Sequence, residues 1–225
     1  MIRTTLDGGL RIVELDRPDC RNALTREGLD TLREVFRDAS EPVVYLTGAG
    51  SAFCAGADLD VVSTLDRESA WEFARQGQQV ARTIADYDGA VVAGIDGPAR
   101  GGGVELALAC DLRIGTPDAT FAESGVSLGL FGAWGGTSRL TDVVGQGHAM
   151  DLSLSGRVLD AQQALDIGLI TRITDTPRSV AMALLENDTH ALRVIKHRIR
   201  DRSPREQQEK RERDAFSDLI PDLRR

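Results

Sequence analysis

The sequence predicts an α/β fold, and three observations predict it. The runs Val43, Val44, Tyr45, Leu46 and Val91, Val92, Ala93 have the apolar, β-branched character of buried strands. Amphipathic stretches over residues 25–39 and 68–87 alternate with them, and in the first of these Leu29, Leu32, Val35 and Phe36 recur at helical spacing. Each apolar run then enters a glycine loop, residues 50–59 after the first and 96–105 after the second. Strands alternating with helices make a sheet built from βαβ crossovers.

Taken in order, residues 2–6 and 10–15 read as two strands turning at Gly8 and Gly9. A loop over 17–24 leads to Thr25, whose hydroxyl suits the N-cap of a helix running to about Ala39. Strand 43–47, the first glycine loop, helix 68–87 and strand 91–95 follow. Asp96, Gly97 and Pro98 make a turn, and Gly101, Gly102 and Gly103 open a helix of small residues that ends near Cys110. Residues 112–114 and 120–121 read as short strands parted by a turn at Thr116, Pro117 and Asp118. From Gly136 onward helices are expected at 141–144, 147–154 and 161–167, with a long final section from about Thr189.

Composition narrows the function. A chain of 225 residues is long enough for one domain with a sizeable core. Its first residues lack a signal-peptide core, and no apolar run approaches the ~20 residues that span a bilayer, so a soluble, cytoplasmic protein with no membrane partner is expected. The formal charge of −8 opposes general polyanion binding. Cations of the last section, among them Arg193, Lys196, Arg200 and Arg211, are interleaved with Asp201, Glu206, Glu209 and Asp214, the pattern of a solvated helix face and not of a nucleic-acid partner. Cys20, Cys54 and Cys110 with His148, His190 and His197 show no ligand spacing, so no metal is expected.

The two glycine loops carry the chemistry. Glycine lets backbone approach a ligand closely, and the first amides of a helix have no acceptor within it, so such a loop can stabilise a negatively charged oxygen. Two loops can deliver one N–H each to a single oxygen, and Glu105 stands just past the second.

These residues resemble the crotonase (enoyl-CoA hydratase/isomerase) superfamily of acyl-CoA enzymes. The matching pieces are Arg17 and Pro18 with Arg21 to Leu24, Phe53 to Leu59, Gly97 to Glu105 with Cys110 and Asp111, Leu128 to Leu130, Gly135 to Thr137 with Arg139 and Leu140, Ser155 to Arg157, and Ala164 with Gly168 to Ile170. The resemblance implies a spiral of ββα units with a helical C-terminal region. It implies a core over 1–188 and a shortened C-terminal helical segment over 189–225 that serves trimerisation. An acyl-CoA thioester would be the substrate, coenzyme A entering with it and no separate cofactor, in a homotrimer or dimer of trimers. By the same resemblance the amides of Ala57 and Gly102 form an oxyanion hole and Glu105 is the acid/base. Asn22, Ala23, Leu24, Ala55, Gly56, Asp58, Leu59, Gly101, Gly125 and Trp134 would line CoA and the acyl group, with one or two terminal cations reaching a CoA phosphate.

The sequence also departs from the family pattern. Family hydratases carry a second glutamate where this chain has Gly125. Glu123 lies two residues earlier, and in an extended segment it would share a side with Gly125 about 6–7 Å along the strand. It is the candidate substitute, a surface glutamate being the alternative. Trp134 stands where many relatives have small residues and either narrows the acyl pocket or fills core. Asp60 stands where relatives often carry a basic residue near the nucleotide. Hydration of a 2-enoyl-CoA is the expected reaction; the alternatives are double-bond isomerisation by one carboxylate and a non-catalytic acyl-CoA-binding scaffold. Gly125, Ser127 and Gly129 fit the serine nucleophile elbow, but that motif needs a helix directly after it, and residues 130–136 read as loop, so the match is taken as chance.

Overall fold

In the computed structural model, which describes residues 1–222, Gly8 and Gly9 at positive φ fold Ile2–Asp7 (β1) back on Leu10–Leu15 (β2) as an antiparallel hairpin. The Thr25 hydroxyl accepts the Gly28 amide at 3.2 Å and starts Arg26–Asp38 (α1). Val43–Gly48 (β3) pairs parallel with β2, and Ala90–Ile95 (β4) parallel with β3. Between β3 and β4 lie Leu59–Ser63 (α2), capped by Asp58, and Arg67–Ala85 (α3), capped by reciprocal Asp66 and Ser69 bonds.

The chain then repeats one unit. Pro98–Arg100 (β5) leaves the main sheet and Gly102–Ala109 (α4) follows; Leu112–Gly115 (β6) returns to the sheet, Thr120–Ala122 (β7) leaves it to pair parallel with β5, and Gly136–Ser155 (α5) follows. Ala161–Asp166 (α6), Arg172–Ile173 (β8), Pro177–Leu184 (α7), Thr189–Arg200 (α8) and Arg205–Leu219 (α9) complete the order. The main sheet runs β1-β2-β3-β4-β6-β8, parallel after its first pair. One strand of each unit joins the large sheet and the next joins the small one, which is the ββα spiral the resemblance implied. Every residue of α4 is buried, as befits a helix that is apolar on all sides, and Glu105 is the exception in chemistry only. Among the described residues no helix is long and apolar enough to cross a membrane.

Two expectations are corrected. The segment after β7 is not extended: residues 124–128 form a 3-10 turn closed by Gly129 at φ 71, because left-handed backbone there lets the Gly129 and Leu130 amides bond back to Val126 and Gly125. Secondly, the terminal cations hold α8 to the core. Lys196 donates to the Tyr87 and Gly89 carbonyls at 2.7 and 2.8 Å and pairs with Asp111 at 2.9 Å, while Arg200 takes the other Asp111 oxygen at 2.7 Å. The expected helices 141–144 and 147–154 are both present within α5, parted at Gly145, whose φ of 75 and ψ of 161 are not helical. The chance reading of the serine motif agrees with Ser127, whose exposed hydroxyl donates to the Ser124 carbonyl in that turn with no helix following directly.

Candidate active site

The first glycine loop is held from below by Asn22. This residue sits at φ 59 and is 1 % exposed; its amide donates to the Ala49, Ala52 and Phe53 carbonyls at 2.9, 2.8 and 3.3 Å, and its oxygen accepts the Arg17 amide at 2.9 Å. Leu24 bonds on either side of Ala57, donating to the Gly56 carbonyl at 2.8 Å and accepting from the Asp58 amide at 3.0 Å. Asp58 caps α2 and is ion-paired with Arg17. The side chains of Asn22, Leu24 and Asp58 therefore build the loop and do not line the cleft, and buried Ala23 and Gly56 also lie outside its wall. These five expected ligand positions thus stand behind the wall of this cleft.

The two loops meet at Gly56. A Cβ there would lie 2.6 Å from the Arg100 carbonyl and 2.8 Å from the Gly102 nitrogen, and φ is 88, so only glycine fits. Backbone bonds from Arg100 to Cys54 at 2.9 Å and from Cys54 to Pro98 at 3.2 Å zip the loops together. Among the described residues the amides of Ala57 and Gly102 have no hydrogen-bond acceptor. Both residues line one cleft of about 250 Å³, along with Ala55, Leu59 and Gly101.

Two carboxyl groups close the same cleft. Glu105, on the first turn of α4, is 2 % exposed, and its Oε1 accepts the Trp134 and Gly136 amides at 2.7 and 2.6 Å. Burial pushes its carboxyl up to about 7, against the pull of those two donors and of Arg139. Glu123 follows β7, is 8 % exposed, and holds Oε1 buried without a hydrogen-bond partner. Burial first, and then the charge of Glu105, pushes it up to about 8. Gly132 lies between them: a Cβ on it would stand 3.0 Å from Glu105 Cδ and 3.0 Å from Glu123 Oε2. The two groups are thus within about 6 Å of each other, close enough to couple. Gly125 lines the cleft, and a Cβ there would press the Leu130 carbonyl at 3.1 Å and Phe131 Cα at 3.3 Å. The acid stands at position 123, between β7 and the 3-10 turn.

The remaining wall is apolar: Val62, Leu65, Phe73 and Ala74 from α2, α3 and the loop between them, and Leu128, Leu130 and Phe131 from the turn after β7 and the loop beyond it. Sequence reasoning missed these, because apolar residues at helical spacing in α3 carry the same pattern whether they face core or cleft. Trp134 lines the cleft and is 4 % exposed, so it both walls the cleft and packs in the core. Cys54 is buried and its thiol is pushed up to about 12 by burial, which removes it as a nucleophile. Among the described residues no group of His, Cys, Asp or Glu is placed to hold a metal. Two free amides, an apolar cleft and two carboxyls that change charge near neutrality suit a reaction that puts negative charge on a carbonyl oxygen and moves two protons beside it.

Comparison with known proteins gives the same picture. The chain is 37% identical over 160 residues to a crotonyl-CoA hydratase of Syntrophomonas wolfei, covering 69% of this chain and 62% of that one. It is 34% identical over 164 residues to a short-chain-enoyl-CoA hydratase of Clostridium acetobutylicum, covering 71% and 63%. The matched stretch therefore spans a little over six-tenths of the length of these curated relatives. The crystal structure of an enoyl-CoA hydratase from Thermoplasma volcanium superposes with a TM-score of 0.94 at 30% identity, over 98% of this chain and 92% of that one. An enoyl-CoA hydratase from Bacillus anthracis gives 0.92 at 28% identity, over 97% and 90%. The family model described as Enoyl-CoA hydratase/isomerase matches residues 5–222, and with those glycine loops and the buried Glu105 on the same scaffold, this chain belongs to that family.

Proposed function

We propose that the protein is an enoyl-CoA hydratase that adds water across the double bond of a short 2-enoyl-CoA. The Ala57 and Gly102 amides hold the thioester oxygen, and each such donor is worth roughly 3 kcal/mol in the transition state. Glu105, ionised for part of the population near neutrality, takes a proton from water as the water oxygen bonds to the β carbon. Electrons of the double bond pass to the thioester oxygen as an enolate. Glu123, protonated below about 8, gives its proton to the α carbon as the enolate collapses, yielding the 3-hydroxyacyl-CoA. The cycle leaves Glu105 protonated and Glu123 ionised, and a proton passing from the first to the second restores both.

The observation that carries this reading is the pair of buried carboxyls that line the cleft on either side of Gly132. A single base suffices for double-bond migration; a second acid supports hydration. Similarity to the crotonyl-CoA hydratase of Syntrophomonas and the short-chain-enoyl-CoA hydratase of Clostridium supports a short acyl chain. We read coenzyme A as part of the substrate, with no separate cofactor, and the protein as a cytoplasmic homotrimer or dimer of trimers. Exposed apolar residues on the helical half, among them Leu154, Ile195, Ile199 and Phe216, support association, and residues 189–225 are its proposed appendage.

The test is loss of the conjugated enoyl-thioester absorbance with purified protein and a four-carbon 2-enoyl-CoA, beside Glu105→Gln and Glu123→Gln. Turnover by the wild type and its loss in each variant is the expected result. CoA binding without turnover on any enoyl isomer would overturn the proposal.

A further inference from the structure

Trp134 does more than hold Glu105 through its amide. A methyl group on Gly77 of α3 would overlap the pyrrole edge of its indole, and one on Gly102 of α4 would overlap the benzo edge. The ring therefore fills the gap that two glycines leave between the helices. Phe73 meets it edge to face at 5.8 Å and 77°, and both rings are buried. Of the apolar residues that line the cleft, Leu59, Leu128, Leu130 and Phe131 are exposed, whereas the indole is buried. The Trp134 amide donates to Glu105 at 2.7 Å, which fixes the ring's position relative to the carboxyl beside the reacting carbons.

We propose that the Trp134 indole is the end wall of the acyl cleft and limits the substrate to short, unbranched chains. A tail leaving the β carbon next to Glu105 runs into the ring after a few carbons. Because Gly77, Gly102 and Phe73 wedge the indole from three sides, it has no room to rotate away, and a well-packed interior resists added methylenes. The inference rests on the cleft being the acyl-CoA site, and it adds the residue that sets chain length.

The test compares kcat/KM for 2-enoyl-CoAs of four and ten carbons in the wild type and in Trp134→Phe, Trp134→Leu and Trp134→Ala. The wild type is expected to favour the four-carbon substrate by at least about 100-fold, an amount a few rejected methylenes supply. The ratio of ten-carbon to four-carbon activity should rise stepwise through the series, by at least about 10-fold at alanine. Should alanine fail to fold, phenylalanine and leucine keep the gradation. Binding of saturated butanoyl-CoA and decanoyl-CoA, measured by calorimetry, reads the same selectivity without turnover. A wild type that takes both lengths equally, or variants whose ratio does not move, overturns the inference. A wild type that binds only the short saturated thioester yet hydrates nothing would sink the proposed reaction and leave the end wall standing.

Discussion

Gly132→Ala is a small perturbation with a large expected effect. The position does not need left-handed backbone, so alanine is conformationally allowed, and what changes is space. The new methyl would lie 3.0 Å from Glu105 Cδ, 3.1 Å from Glu105 Oε1 and 3.0 Å from Glu123 Oε2. Carbon atoms rest at about 3.5–4.0 Å, so one carboxyl or the loop must give by about half an ångström or more. Glu105 cannot easily yield, because the Trp134 and Gly136 amides hold it at 2.7 and 2.6 Å. The movement falls on Glu123 and on the space between the two acids, where a reacting water must fit. Misplacement on that scale costs about 100-fold in kcat, or ~2.7 kcal/mol of barrier. The assay is steady-state hydration of a four-carbon 2-enoyl-CoA, with calorimetric binding of a saturated acyl-CoA as control. A kcat within about threefold of wild type, with the fold intact, would refute the claim that the gap between the acids is where chemistry happens.

Two further outcomes follow from the geometry. Asn22→Ala strips the donors from the Ala49, Ala52 and Phe53 carbonyls and puts alanine at φ 59, so urea unfolding should show a loss of about 2–4 kcal/mol, accompanied by lower kcat as the Ala57 amide drifts; unchanged stability would contradict its role as a clamp. Burial and the charge of Glu105 raise the Glu123 pKa from the ordinary carboxylate value of 4.5 to about 8, so the folded form binds the extra proton and its contribution is complete below that usual range and lost as pH rises through about 8. Glu123→Gln should accordingly raise Tm relative to wild type at pH 9 and lose that advantage at pH 5; a Tm difference that does not change with pH would mean Glu123 is not buried as described.

Much of this architecture was legible because it is encoded locally. Thr25 before an amphipathic run, Gly8 with Gly9 between two strands, and apolar runs feeding glycine loops each declare themselves within a dozen residues. Glu105 could be read for the same reason, since it lies on the helix the glycines open. What stayed hidden depends on contacts between distant segments. The small sheet of β5 and β7 rests on three residue pairs, too few for a periodic signal. Asn22 was a candidate ligand contact by resemblance alone, and only the fold reveals that its side-chain donors are spent on residues 49–53. Glu123 lies in the site, but not through the expected alignment with Gly125: it directly follows β7, and the 3-10 turn that begins at Ser124 ends the extended geometry before Gly125. The usable signal was a lone carboxylate directly after the buried strand Thr120–Ala122 and before a run of glycines.

The pH dependence of kcat/KM for hydration, compared between wild type and Glu123→Asp, addresses the paired acids most directly. Glu105 must be ionised and Glu123 protonated, so a bell is predicted whose rise lies near 7 and whose fall lies near 8, both belonging to the coupled pair. Shortening the second acid by one carbon should lower the maximum and move the alkaline limb while activity remains measurable. An alkaline limb of the same position and height in the variant would show that Glu123 carries no proton in the reaction, and the two-carboxyl account would fall.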